Sequence, residues 1–421
     1  MKEKKKPRGL MLIHHFRPGP TGGSEIQADR LARGLVSLGH QMQILTNPVS
    51  VANKWHDFGG QVPFAPEEEV FYGAGVDSPF LESEAHKVDI RKASDCVGVI
   101  HRPPFRLAYE VKRGVTDTFR YLVKNRKTYD ILHCQMAYGH AVVAVVAARS
   151  LRKRCIIKIA CAGEFGEFYN FSKFPGFASA LQVLHQADAM IAISREVEEE
   201  LLGYGFSPKR ILRIPNGVDT DFFQARVQAE KPGKVRFLLV GRRQPQKGVD
   251  LLLNAIQILK LSGLEDKFEV KLCGVDVPDH DYLSMATKLG VTHLVEFLPF
   301  QKDMRNIYQE AQSFLLPSRG EGLSNALLEA MAVGLPVIAT RVSGTSDVVT
   351  DEKDGLLIPS ESVQSLATAM KRIIFDPTLR QLLGHNARRK VEDEFSLERI
   401  AGEYSRLYSR LHHSREGINR L

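Results

Sequence analysis

The sequence predicts an α/β protein made of two similar domains, each a parallel sheet covered by helices. Short β-type runs alternate with helical periodicity along the whole chain, which is the pattern of strands joined by helical crossovers. A strand–loop–helix start occurs near residue 9 and again near residue 234. Between the two lies the turn-rich, charged stretch RIPNGVDTDFFQARVQAEKPGK, residues 213–234, which suits a linker. A chain of 421 residues, 43% apolar and 25% charged, is long enough for two or three domains with sizeable cores.

LMLIHHF (10–16) reads as the first strand. SEIQADRLARGLVSLGHQ (24–41) follows as a helix with Ala28, Leu31, Leu35 and Leu38 on one face, closed by Gly39 before the strand QMQILT. In FRLAYEVKRGVTDTFRYLVKNRK (105–127) the stripe Leu107, Val111, Val115, Phe119 and Leu122 is expected to pack on the core, under a basic outer face. In the second half KVRFLLVG (234–241) is a strand, RRQPQKG a loop, VDLLLNAIQILKLSG (249–263) a helix and KFEVKLCG (267–274) the next strand. No apolar run approaches the length that crosses a bilayer; AVVAVVAA from Ala141 is far too short. The basic start MKEKKKPRGL precedes only a short apolar stretch without a small-residue cleavage site, so no signal peptide is expected.

Five scattered cysteines with no CxxC pair imply neither a disulfide framework nor a zinc site, and suit a reducing cytoplasm. The net charge is +8, and from Arg91 to Lys127 ten Lys or Arg stand against three Asp or Glu. Such a run attracts anions. With no nucleic-acid-binding motif present, an anionic membrane or a lipid-linked substrate is expected rather than nucleic acid.

The segment SRGEGLSNALLEAMAVGLPVIAT, residues 318–340, carries the chemistry. A helix is expected from about Leu323–Ser324 to Val333, stopped by Gly334 with Pro336 after it. Amides at Gly322, Leu323, Ser324 and Asn325 would form an anion site at its start. Glu321 precedes them, and Glu329 lies eight residues on among Leu327, Leu328, Ala330 and Met331. An acid in that setting needs a partner, because burying it alone is costly. Carboxylates serve sugar hydroxyls better than phosphates. Two of them around an anion-binding helix start suit a ligand with hydroxyls at both ends and phosphate between, the layout of a nucleotide-sugar. Arg242 and Lys247 in GRRQPQKG follow a strand and precede a helix, where a loop can present cations to a diphosphate. In RPGPTGGSEIQ, Gly22 and Gly23 permit close backbone approach at another helix start. The triplets Asp219-Thr220-Asp221 and Asp279-His280-Asp281 are read as turn and loop residues, so no metal site is assigned.

Gly22-Gly23, Arg242 with Lys247, Glu321-x7-Glu329 and the stretches ADAMIAISREV, RIPNGVDTDFF and EGLSNALLEAMAVGLPVIAT together resemble glycosyltransferase family 4. The resemblance runs from about residue 9 to 410. It implies the GT-B fold: two Rossmann-like domains facing a central cleft, residues 1–216 as acceptor domain and 217–394 as donor domain, with a final helix (395–421) crossing back to the first. It implies a hexosyltransferase-type enzyme using a nucleotide-diphosphate sugar, UDP-sugar foremost, with retention of configuration and no metal or other cofactor. Glu321 would hold the donor sugar, Glu329 the ribose, and the amides from Gly322 to Asn325 the phosphates. Arg242 and Lys247 would neutralise the leaving diphosphate, with Gly23 closing over it. The expected partners are the nucleotide-sugar donor and a glycan or lipid-linked acceptor in cell-surface polysaccharide or glycolipid assembly. The expected place is the cytoplasm, with peripheral contact at the inner face of an anionic membrane. Two departures stand out: Ala162 occupies the position of a donor-contacting histidine, and Gln135 that of a second histidine common in the family. The alternatives are a nucleotide-sugar-binding protein without activity and an epimerase or phosphorylase of the same fold.

Overall fold

The computed structural model describes residues 6–13, 23–46, 89–92, 106–225, 233–277, 280–301 and 303–416. They fall into two compact units: residues up to Gly217 together with those from Leu397 onward, and Val218–Ser396.

The first unit begins with β1 (Gly9–Ile13), α1 (Gly23–Ser37), β2 (Met42–Thr46), β3 (Asp89–Lys92) and α2 (Arg106–Lys124). It continues through β4 (Ile131–Gln135), α3 (Gly139–Ser150), β5 (Arg154–Ile159), α4 (Glu167–Ser172), α5 (Phe177–Leu184), β6 (Ala189–Ala192), α6 (Arg195–Gly203) and β7 (Ile211–Arg213). The strands form one sheet in the order β3-β2-β1-β4-β5-β6-β7. Every pairing in it is parallel. GLMLI, ILHCQ and AMIA are buried at every residue, as strands covered on both faces must be.

Along α1 the expected face is buried at Ala28, Leu31 and Leu35, and Gly39 ends the turn with a left-handed φ of 86°. The face expected for α2 is only partly right. Val115 is 40% exposed, whereas Thr118, Tyr121 and Leu122 are buried, and the side chains of residues 106–114 lie outside those described. The buried stripe includes Thr118 and Tyr121, whose polar atoms hid them from a reading based on apolarity alone.

The second unit is built from β8 (Val235–Val240), α7 (Val249–Leu261), β9 (Phe268–Cys273), α8 (Tyr282–Lys288), β10 (Val295–Leu298), α9 (Arg305–Glu310) and β11 (Ser313–Leu316). Then come α10 (Asn325–Val333), β12 (Val337–Thr340), α11 (Ser343–Val348), β13 (Leu356–Ile358), α12 (Val363–Phe375) and α13 (Pro377–Lys390). Its sheet is also parallel, in the order β10-β9-β8-β11-β12-β13. Phe237, Leu252, Ile256, Leu272, Ile338 and Met370 are among the side chains that fill its core. Both sheets therefore change direction after their first two crossovers, leaving a switch point between β1 and β4 and another between β8 and β11.

The last helix, α14 (Leu397–Glu416), returns to the first unit, as expected from the resemblance. It crosses α1 where Gly34 has no side chain: a Cβ there would sit 2.7 Å from the Ala401 Cβ. Polar pins add specificity to this apolar seam. The His40 Nδ1–H donates to the Pro7 carbonyl at 2.8 Å, and its Nε2 accepts from the Ser405 hydroxyl at 2.8 Å. His133 of β4 meets the Tyr408 hydroxyl at 3.1 Å. Nearby, the buried Lys158 Nζ donates to Asn216 Oδ1 at 2.8 Å, tying β5 to the segment that leaves the unit.

We expect Gly34→Val to destabilise the first unit by about 1–3 kcal/mol through overpacking. Ala401→Gly in the same chain should return part of that loss in urea unfolding, and no recovery would mean that the contact does not set the crossing. Lys158 gives a pH signature. Burial pushes its pKa from 10.5 down to about 7, so between those values the unfolded chain holds a proton that the native chain lacks. Native stability therefore rises with pH across that window. Melting curves of Lys158→Met should lack this rise, and identical slopes for the two proteins would refute the assignment.

Candidate functional site

The switch point of the second unit places two loops side by side, one following β8 and one following β11. Glycine fixes how closely they approach. Gly248 adopts φ 65°, and a Cβ there would lie 2.0 Å from the Pro317 carbonyl oxygen. Hydrogen bonds then join the loops: the Arg319 amide donates to the Gln246 carbonyl at 2.8 Å, and Gln246 Nε2 donates to the Gly320 carbonyl at 2.9 Å.

Glu321 and Lys247 meet on this scaffold. Lys247 Nζ lies 2.5 Å from Glu321 Oε1, and the buried Ser318 hydroxyl donates to the same oxygen at 2.7 Å. The Glu321 carboxylate is itself buried. The acid and the cation expected to compensate it thus form an ion pair with each other. Arg242 is exposed on the loop after β8. Its neighbour Arg243, which the sequence reading passed over, is the buried one. Its guanidinium forms an ion pair with Asp276, and its Nη1 donates to the carbonyls of Leu272 at 3.2 Å and Leu298 at 2.9 Å. Arg243 fixes the carboxyl ends of β9 and β10, committing four of its five N–H donors to their carbonyls and to Asp276. The adjacent Arg pair gave no sign of which member faces inward, because a loop residue has no periodicity to betray it.

α10 starts at Asn325, and the Ser324 side chain caps it by accepting from the Leu327 amide at 3.4 Å. Gly334 closes it in the left-handed conformation, φ 82°, as expected. Residues Gly322, Leu323 and Ser324 are buried at the carboxyl end of β11, with Asn325 half-buried. Glu321 precedes the helix, so only the four steps from Asn325 to Glu329 have helical rise, about 6 Å at roughly 1.5 Å per residue. Glu329 is buried and has the partner its surroundings demand: the Tyr308 hydroxyl of α9 donates to its Oε2 at 2.9 Å. The Tyr308 and Phe223 rings meet edge to face, with ring centres 5.9 Å apart. Tyr308 was missed because its distance in sequence from Glu329 conceals the packing of α9 beside α10. Ser318 was legible in principle, three residues before Glu321 in a loop where only an acceptor-seeking hydroxyl would bury well.

The remaining expectations divide. Gly23 opens α1 of the first unit as an exposed residue, while Gly22 and the loop before it lie outside the described residues, as does much of the basic stretch 91–127. Ala162 is buried, and Gln135 ends β4 with its carbonyl accepting from His140 Nε2 at 2.9 Å. Asp219 accepts from the amides of Asp221 at 3.1 Å and Phe222 at 2.9 Å, a turn-forming role. Asp281 caps α8 through Ser284, and Asp279 is outside the described residues. Among the described residues no group of three or more His, Cys, Asp or Glu is placed to hold a metal ion, and no helix is long and apolar enough to cross a membrane.

Comparison with known proteins matches residues 21–222 to the model of Glycosyltransferase Family 4 and residues 221–390 to that of glycosyl transferases group 1. A D-inositol 3-phosphate glycosyltransferase of Actinosynnema mirum is 33% identical over 224 residues, 49% of this chain and 54% of that protein. The chain spans about half the length of the inositol-phosphate relatives it matches. An uncharacterized glycosyltransferase of Methanocaldococcus jannaschii, MJ1607, is 24% identical across 94% of this chain and 97% of its own. Among solved structures, Anabaena HepE in complex with UDP and glucose aligns with TM-score 0.71 at 18% identity, over 96% of this chain and all of that one. Sucrose-phosphate synthase of Thermosynechococcus elongatus aligns with TM-score 0.71 at 21% identity, over 97% and 100%. These likenesses show the α/β GT-B fold.

The Glu321–Lys247 pair predicts a double-mutant result. Lys247→Met strands a buried carboxylate and should cost about 2–4 kcal/mol of stability in urea unfolding. Adding Glu321→Gln should recover much of that, and strictly additive losses would show that the two groups do not act as a pair.

Proposed function

The chain belongs to glycosyltransferase family 4, and on that premise we propose that it moves a sugar from a nucleotide-diphosphate sugar to a hydroxyl of a glycan or lipid-linked acceptor. The observation that carries this reading is the Glu321–Lys247 pair at the switch point of the second unit, beside the start of α10 and with Glu329 farther along that helix. In open parallel sheets ligands bind at such a point, outside the carboxyl ends of the strands. The second unit is thus the proposed donor domain and the first the acceptor domain, with the boundaries 1–216 and 217–394 and the return of residues 395–421 given above.

An ammonium has three N–H donors, and Glu321 uses one of Lys247. Lys247 can therefore stay bound to the acid and still neutralise charge growing on a departing diphosphate, joined by Arg242 and by amides from Gly322 to Asn325. Glu321, held by Ser318 and Lys247, keeps a fixed negative charge beside the donor sugar, suited to a transition state in which the reacting carbon gains positive character. Glu329, oriented by Tyr308, accepts from the ribose hydroxyls. In this arrangement cationic side chains do the work that a metal does elsewhere, and configuration is retained. A UDP-sugar is the donor we favour; the structures of HepE in complex with UDP, with UDP and glucose and with UDP-glucose support that choice. A role in cell-surface polysaccharide or glycolipid assembly, in the cytoplasm or at the inner face of a membrane, suits such an acceptor. The buried Ala162, with no functional group to offer a sugar, favours a second reading, a nucleotide-sugar-binding protein without turnover. Release of nucleotide from donor in the presence of an acceptor panel separates the two.

Glu329→Ala should weaken UDP and UDP-sugar alike in calorimetric titration, because both carry the ribose. Glu321→Gln should bind UDP nearly as before yet lose about a hundredfold in turnover, roughly 2.7 kcal/mol of transition-state stabilisation. Wild-type turnover by Glu321→Gln, or unchanged UDP affinity in Glu329→Ala, would defeat the assignment.

A further inference from the structure

Three aromatic side chains stand in water beyond the carboxyl end of β5: Phe165 is 42% exposed, Tyr169 41% and Phe174 61%. Rings of this size ordinarily bury, and several exposed within one short segment mark a binding surface. The segment is held firmly. The buried Glu167 carboxylate accepts from the amides of Ala160 at 2.6 Å and Cys161 at 2.9 Å. A Cβ at Gly166 would lie 2.8 Å from the Ala162 Cα, so the turn is folded tightly back on β5. Behind the exposed rings, Phe168 packs against Tyr204 at 4.8 Å between centres and Phe171 against Phe177 at 5.5 Å. A surface already ordered loses little freedom on binding.

The charge around these rings selects the partner. Lys173 Nζ sits 4.1 Å from the centre of the Tyr169 ring, which engages it locally. Glu164 is exposed on the same turn. Glu200 of α6 accepts from the Gly163 amide at 3.2 Å, and Glu196 is exposed one turn before it. An anionic bilayer would be repelled by these carboxylates. A neutral carbohydrate would not be: its C–H faces stack on aromatic rings and its hydroxyls donate to carboxylates. We propose that Phe165, Tyr169 and Phe174, with Glu164 and Glu196, form a platform that binds sugar residues of the acceptor glycan. The inference rests on the transfer reading above and narrows its acceptor to one presenting a neutral glycan at this surface.

The test uses the full chain and the variant Phe165→Ala/Phe174→Ala, both of whose changes are at exposed positions, with circular dichroism confirming the fold. Maltohexaose, cellohexaose, mannohexaose and chitohexaose are titrated against each protein and followed by saturation-transfer NMR, with UDP titrated separately. We expect at least one hexasaccharide to bind the wild type and to bind the variant at least about tenfold more weakly, with UDP affinity unchanged. Failure of all four to bind the wild type, or equal binding by the variant, overturns the proposal. So does flotation of the wild type, but not the variant, with phosphatidylglycerol vesicles, which would mark a lipid surface instead. A wild type that binds a hexasaccharide but no UDP would sink the transfer reading while leaving the platform standing.

Discussion

A single carboxylate organises the second unit's carboxyl edge. Glu321 accepts from Lys247 of one loop and Ser318 of its own, and so ties together the two connections that flank the switch point. A buried acid is tolerable only when its charge is met, and here the cation comes from a different strand connection. The geometry that lets it arrive is set by backbone contacts where no side chain fits: Gly248 on Pro317, and Gly344, where a Cβ would fall 1.7 Å from the Gly322 carbonyl oxygen. Charge pairing and glycine placement are therefore one constraint.

Much of this architecture could be read from the chain, and the reason is periodicity. Strands such as GLMLI are buried on both faces and appear as continuous apolar runs, and α7 and α10 end at a polar or glycine residue where the helical pattern breaks. Glu321 and Glu329 could be singled out because each contradicts its local surroundings. What escaped notice were residues whose role depends on contacts remote in sequence. Tyr308 lies 21 residues from Glu329, and Arg243 lies 33 from Asp276. The stripe of α2 misled for a related reason: Thr118 and Tyr121 bury a mixed surface that a hydrophobicity pattern scores as neutral.

The basic residues illustrate how little composition says about role. Arg243 braces the ends of two strands. Arg319 grips Asp250 with two bonds of 2.8 and 2.7 Å and also pairs with Glu361. Lys247 pairs with Glu321 across two loops, and Lys158 is sealed in the first unit with its charge disfavoured by burial. Each carries the same formal charge in a sum of +8, yet the fold gives the four different tasks.

The return of α14 has a consequence for how the chain is made. Ile400, Ala401, Tyr404, Leu407 and Tyr408 belong to the same buried cluster as Met11, Leu31 and Ile156. A ribosome releases the first unit's strands long before it reaches these residues, so the emerging sheet lacks one side of its core while all of Val218–Ser396 is being synthesised. The contiguous second unit can close on its own as it emerges, since domains fold as units during synthesis. The unit encoded first is thus the one completed last, and a nascent chain halted near residue 396 would present the bare flank of α1 to chaperones.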